Sequence, residues 1–185
     1  MAQRGAGVAL DSSELAGRVG GAVAGSEARP FATPGSAAIE VAPASIEAVL
    51  RYLRDDLGFD LYVDVTAVDY EALRGTIEVL YVVRSLSDAA QAVVKVAIDA
   101  RDPHLPTVTG LFDGANWAER EVFDMFGVRF DGHPDLRRIL MYPEFEGHPL
   151  RKSYAYQHRQ PLTPERDPIA DPWPRRHPIP QPSQK

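Results

Sequence analysis

His133 and His148 each stand between a glycine and a proline, and each Gly-His-Pro triplet is followed by a leucine and two basic residues. These are Arg137 and Arg138 after the first triplet, Arg151 and Lys152 after the second. Imidazole titrates near neutral pH and binds metals, so the pair invites an acid–base or metal reading with Glu119, Glu121 or Asp124 as partners. The spacing does not support it: there is no H-E-x-x-H pair and no compact His/carboxylate cluster, and an imidazole between Gly and Pro commonly hydrogen-bonds a turn. The four basic residues invite an anion or nucleic-acid site instead. No Gly-rich phosphate loop accompanies them, and Glu119, Glu121, Asp124, Asp131, Asp135, Glu144 and Glu146 are interleaved with them. A third reading pairs arginines and acids with one another and with a partner protein, because the planar guanidinium binds carboxylates bidentately and is less costly to desolvate than an ammonium. On the residues alone, this segment is an interaction module.

The element that must position these groups is a short helix beginning near Trp117. Asn116 serves as its expected N-cap, Glu119 completes a capping-box pattern, and Gly127 ends it as a left-handed C-cap. Ala118, Val122, Met125 and Phe126 fall on one face of it, and Glu119, Arg120, Glu121 and Asp124 crowd the rest. Arg120 and Asp124, at i and i+4, form an expected local pair. Trp117, Phe126, Phe130, Tyr142 and Phe145 are expected as core or rim packing rather than a cofactor box.

Upstream, a marginal, glycine-containing helix runs from Leu10 or Asp11 to Ala24, with Ser12 and Ser13 as caps. A strand over Ala37 to Ala42 follows. Ile46, Val49, Leu50, Leu53 and Leu57 then trace an amphipathic helix from Ser45 that stops at Gly58, with Arg51, Arg54, Asp55 and Asp56 as its solvated face. From Phe59 to Tyr70 the alternation buries Phe59, Leu61, Val63 and Val65 and exposes Asp60, Tyr62, Asp64 and Thr66. With Asp69 ahead of a hairpin loop, that favours solvated aspartates over a metal site. Thr76 to Arg84 and Ala92 to Ala100 are further strands, so the three form an antiparallel meander. The order β, α, β, β, β, α predicts an α+β domain with helices packed on one side of the sheet. Between Arg101 and Gly110, Thr107 to Thr109 is expected to be extended. Residues 1–36 read as an N-terminal extension, 37–154 as the domain, and 155–185 as an extended Pro-rich C-terminal arm whose anchors would be Ile169, Trp173 and Ile179.

The 185 residues suffice for one domain plus extensions, with a core large enough to fold without staples. Absence of cysteine excludes disulfides, thiolate catalysis and cysteinyl iron–sulfur ligation by this chain, and is compatible with a reducing compartment. The formal net charge of −6 argues against bulk nucleic-acid binding. No apolar run is long enough to span a membrane and the first residues lack a signal peptide's apolar stretch. A transit peptide is disfavoured by Asp11, Glu14 and Glu27.

The segment A-N-W-A-E-R-E-V-F-D-M-F-G-V-R-F-D-G-H-P-D-L-R-R-I-L from Ala115, followed by E-G-H-P-L-R-K, resembles the signature of the 30-kilodalton subunit family of proton-translocating NADH-quinone oxidoreductase, respiratory complex I. F-D-L-Y-V-D-V-T-A-V-D-Y from Phe59 and the meander after it resemble the same family, so the similarity covers roughly Ile39 to Tyr154. Ser153 and Ala155 depart from the usual ending L-R-K-D-Y-P. The resemblance implies a non-catalytic subunit of the hydrophilic arm, peripheral on the cytoplasmic (or matrix) side of the membrane. Its partner would be the large quinone-site subunit of the 49-kilodalton type, alongside other hydrophilic-arm subunits. It implies no cofactor on this chain: FMN and iron–sulfur clusters, with NADH and quinone as reactants, belong to neighbouring subunits. Glu119, Arg120, Glu121, Asp124, His133, Arg137 and Arg138 occupy signature positions, and with His148 and Arg151 they are expected to brace loops and the partner interface. The rival readings are the equivalent subunit of a membrane complex using ferredoxin, another carrier or hydrogen, and a free-standing histidine-dependent metalloenzyme.

Overall fold

The computed structural model describes residues 10–155, 157 and 160; Ile169, Trp173 and Ile179 lie outside them. Alternating apolar residues build its central sheet. The strands are β1 (Arg29–Pro30), β2 (Ala37–Val41), β3 (Leu61–Tyr70), β4 (Thr76–Arg84) and β5 (Gln91–Asp99), in the spatial order β1-β2-β5-β4-β3. The meander β3-β4-β5 is antiparallel as expected. β2 joins β5 in parallel, which makes the sheet mixed. Along β4, Ile77, Val79, Tyr81 and Val83 are buried while the residues between them are half-exposed, the signature of a sheet covered on one face.

The helices supply that cover. Leu15 and Val19 of α1 (Ser12–Ala22) and Ile46, Val49, Leu50 and Leu53 of α2 (Ile46–Asp55) are fully buried in the core shared with the sheet. α1, from the stretch read as an extension, therefore belongs to the same core. Its N-cap is Asp11, whose carboxylate accepts from Glu14 N at 2.7 Å, and not Ser12 or Ser13. The Ser12 hydroxyl instead accepts from Ala38 N and ties the helix to β2. A 3-10 turn at Pro43–Ser45 leads into α2.

The expected alternation in β3 fails at its start. The register shifts between Tyr62 and Asp64, and the extra residue, Val63, forms a bulge. Leu61 and Val63 are consequently exposed and Tyr62 turns toward the core; beyond the bulge Val65, Ala67 and Asp69 lie on the buried face, so Asp69 is buried rather than solvated. After the single turn α3 (Glu71–Arg74), the sheet continues through β5 to a second small sheet. There β6 (His104–Pro106), three residues ahead of the expected extended stretch, pairs in parallel with β7 (Arg129–Asp131). Between them runs α4 (Ala115–Phe126), packed against β3.

Candidate functional site

Carboxylates and guanidinium groups converge around α4, and most are spent on backbone. Asp124 is buried on the helix, and its Oδ2 accepts from three consecutive backbone N–H groups, Ile139, Leu140 and Met141, at 3.0, 2.8 and 2.8 Å. Its Oδ1 accepts from Arg138 Nη1 at 2.6 Å. Burial alone pushes the Asp124 carboxyl up, but the hydrogen bonds from Met141, Arg138, Leu140 and Ile139 outweigh it and hold the group below the ordinary aspartate value. Arg138 also donates to Gly147 O at 2.9 Å and lies over the Phe145 ring, which stacks on Tyr154 and meets Tyr142 edge-on. The expected Arg120–Asp124 pair does not form. Arg120 reaches across to Arg137 O and Arg138 O at 3.0 and 3.3 Å, because the loop over residues 137–141 passes between the two side chains' ends and offers each a better partner.

The C-terminus of α4 is closed by the second Gly-His-Pro loop. Four carbonyls at a helix end lack intrahelical partners. Here Phe123 O accepts from Gly127 N, Asp124 O from His148 Nδ1 at 3.0 Å, Met125 O from Leu150 N at 3.0 Å, and Phe126 O from Arg151 Nη1 at 3.5 Å. Gly127 is the expected left-handed cap at φ +77°, and a Cβ there would sit 2.6 Å from His148 Cδ2. The imidazole thus occupies the space that a side chain would need. Burial, with Arg138 and Arg151 nearby, lowers the His148 pKa. Arg151 continues inward: Nη2 donates to Ala100 O at 2.9 Å and to Glu71 Oε2 at 3.1 Å, and Nε lies 3.6 Å from the buried Asp69. Asp69 also accepts from Lys152 N and Glu71 N, so one carboxylate ties β3 to the loop.

At the other end of α4 the helix starts two residues earlier than expected. Gly114 is the N-cap, with no side-chain cap, and Asn116 lies inside the helix, so the capping box is not made. Glu119 is instead buried, accepting from the Thr107 hydroxyl and, at 2.8 Å, from Val108 N. Burial raises its pKa to about 7 against the lowering effect of those two hydrogen bonds. Burial first, and then the Glu119 charge, raise the phenols of Tyr62 and Tyr81, whose buried hydroxyls lack partners among the described residues. The His133 side chain is fully buried. Its Nδ1 accepts from Asp135 N at 3.0 Å, which leaves Nε2 to donate to Asn116 O at 3.2 Å. Both ring nitrogens are therefore committed to backbone, and burial lowers the His133 pKa. Arg137 pairs with Asp135, and Glu121 is exposed on the outer face of α4.

The sequence-derived set Glu119, Arg120, Asp124, His133, Arg137, Arg138, His148 and Arg151 is thus gathered around one helix, with Glu121 facing away. Phe130 is buried, Phe126 is partly buried, and Tyr142 and Phe145 pack in the loop. Trp117 is not core packing, being 61% exposed. Thr107, Asp69 and Glu71 were not singled out as bracing residues; only the alternation placing Asp69 in phase with Val65 hinted at burial. Ile139, Leu140, Tyr142 and Leu150 are exposed beside this network, with Leu140 at 55%.

Fold and site together define a small α+β scaffold in which buried ionisable groups fix loop geometry. Among the described residues no helix is long and apolar enough to cross a membrane, and no group of three His, Asp or Glu residues is placed to hold a metal ion. Residues 39–160 match the family described as respiratory-chain NADH dehydrogenase, 30 Kd subunit, and the chain belongs to that family. It is 45% identical over 120 residues to the C subunit of NADH-quinone oxidoreductase from Roseiflexus sp. (strain RS-1), a match covering 64% of this chain and 69% of the relative. Among solved structures, it resembles the trypsin-resistant fragment of Nqo5 at 30% identity and a TM-score of 0.55, covering 59% of this chain and 89% of the fragment. It also resembles a chain of the membrane-bound sulfane sulfur reductase, an archaeal respiratory membrane complex. That likeness is at 28% identity and a TM-score of 0.66, covering 78% of this chain and 86% of the other.

Proposed function

We propose that this chain is a non-catalytic peripheral-arm subunit of a proton-translocating NADH-quinone oxidoreductase, peripheral on the cytoplasmic (or matrix) side, that stabilises the large quinone-site subunit. The observation that carries this reading is the seating of Asp124 beneath residues 138–141. Four hydrogen bonds to one buried carboxylate hold a loop whose Ile139 and Leu140 side chains face solvent. Fixing a loop in advance removes ordering cost at the moment of association, and exposed apolar side chains on a rigid base suit an interface core. The signature residues act here as bracing, with residues 37–154 as the principal unit and 155–185 as an arm on the same partner. The histidines support this reading over a metalloenzyme, since both nitrogens of His133 and Nδ1 of His148 are already engaged by the chain. FMN and iron–sulfur clusters are assigned to companion subunits. With no cysteine, this chain has no thiolate to ligate a cluster.

A second reading, the equivalent subunit of a complex with another electron donor or acceptor, is favoured by the likeness to the sulfane sulfur reductase chain. Gentle purification of the tagged chain from native membranes tests both. Companions that carry flavin and cluster spectra and oxidise NADH with quinone support the first, and companions without an NADH-oxidising flavin subunit support the second. A chain recovered alone would overturn both.

A further inference from the structure

Trp117 stands on the outer face of α4 with no ring or cation partner among the described residues, and 61% of its surface is open. Glu121, one turn on at i+4, shares that face and is exposed. One turn back, the chain already runs helically before the N-cap, since Ala115 N reaches Phe112 O and Asn116 N reaches Asp113 O. Asp113 therefore precedes Trp117 by about one turn, and the two line a broad groove of about 970 Å³. The Asp113 and Glu121 carboxylates make no hydrogen bond or ion pair within the described residues. The groove's own charges are Glu47, Asp113, Asp131 and Asp135 against Arg120 and Arg137. Arg120 is turned to the carbonyls of residues 137 and 138, and Arg137 to Asp135.

We propose that this face, an indole set between two carboxylates at one-turn spacing, docks an arginine- or lysine-bearing segment of a companion subunit, with the cation over Trp117 and between Asp113 and Glu121. The inference rests on the assembly role above and names the chemistry of one contact within it. An exposed indole flanked by carboxylates is complementary to a cation on three sides, by the ring's quadrupole and by two charges. Tryptophan and arginine are also the residue types over-represented where binding energy concentrates. A second copy of this chain fits poorly, because the molecule carries a net charge of −6 and would meet acidic surface with acidic surface. On helical spacing the face adjoins the row Arg120–Asp124 crossed by residues 137–141. The docked segment would thus run beside Ile139 and Leu140.

The test uses the intact complex purified from membranes through a tag on this chain. Trp117→Ala should weaken retention of the chain by about 3- to 30-fold. The double variant Asp113→Lys, Glu121→Lys should release it at lower salt, and both should melt like the parent because these side chains are exposed. A photo-crosslinking p-benzoylphenylalanine at position 117 should capture a companion segment containing arginine or lysine. Companions present but unchanged retention, capture of a segment without a basic residue, or capture of a second copy would overturn the docking surface and leave the assembly role standing. Recovery of the parent chain without companions would overturn both.

Discussion

Arg138 and Asp124 meet at 2.6 Å where the first basic pair crosses α4, and the carboxylate is fully buried while the guanidinium keeps a narrow opening to solvent. Replacing Asp124 by alanine leaves that guanidinium and three backbone N–H groups facing a void. A broken buried pair costs about 3–5 kcal/mol. Asp124→Asn keeps an oxygen for the N–H groups but sets an amide NH2 against Arg138 or the loop, so an intermediate loss is expected. Urea denaturation measures the losses. Hydrogen exchange at Ile139, Leu140 and Met141 should accelerate in both variants, and unchanged protection there would show that the carboxylate does not hold the loop.

Two carboxylates on one helix should give opposite pH dependences. Glu119 has its folded pKa raised to about 7 by burial, above an ordinary value near 4.5. Its contribution to stability is complete below about pH 4.5, where both states are protonated, and is lost as pH rises to about 7, where the folded state must ionise too. The total is on the order of 3 kcal/mol. Asp124 is depressed, so its contribution is present above the ordinary aspartate range and lost as pH falls through the folded pKa. Glu119→Gln should flatten stability between pH 4.5 and 7 while leaving the acid limb intact. A slope in that window that survives the substitution would assign it to another group.

Helix and strand identity was legible where one periodicity ruled a whole element, as in α2, β4 and the cap at Gly127. It failed where a single residue broke the phase. Val63 adds one position to β3, so Leu61 and Val63 face solvent and Tyr62 turns toward the core, and alternation has no way to register an insertion before the partner strand is known. The site was legible as a cluster but not as a set of pairings. Arg120 and Asp124 satisfy the local i,i+4 rule, yet a loop folded back from later in the chain outcompetes it. Asn116 and Glu119 fit a capping box, yet burial beside Thr107 and Val108 claims the carboxylate. Local rules rank local partners, and these side chains are decided by tertiary ones.

Gly127 and His148 should couple. An alanine at position 127 must take φ +77°, which costs roughly 1–2 kcal/mol, and its Cβ must also displace the imidazole that donates to Asp124 O. In a His148→Ala background only the backbone share remains. The double-mutant cycle is therefore expected to show about 1 kcal/mol or more of interaction between the two positions. Strict additivity in thermal or urea unfolding would mean that the ring does not sit where the helix ends.

Arg151 links three parts of the chain: the end of α4 through Phe126 O, the end of the sheet through Ala100 O, and the buried Asp69 with Glu71 at the β3–β4 connection. Arg151→Ala leaves Asp69 buried with only backbone donors and should cost about 3 kcal/mol or more. Lysine restores the charge but cannot divide its donors among these partners in the guanidinium's planar geometry, so partial recovery is expected. Because the anchored loop carries Leu150 and continues toward the exposed Tyr142 and Leu140, the same substitution should lower the amount of assembled complex recovered from membranes. Turnover per assembled complex should be unchanged if the residue acts, as proposed, by bracing its own chain's loop. A variant that assembles normally but turns over slowly would instead place Arg151 in the chemistry of the complex and not in its support.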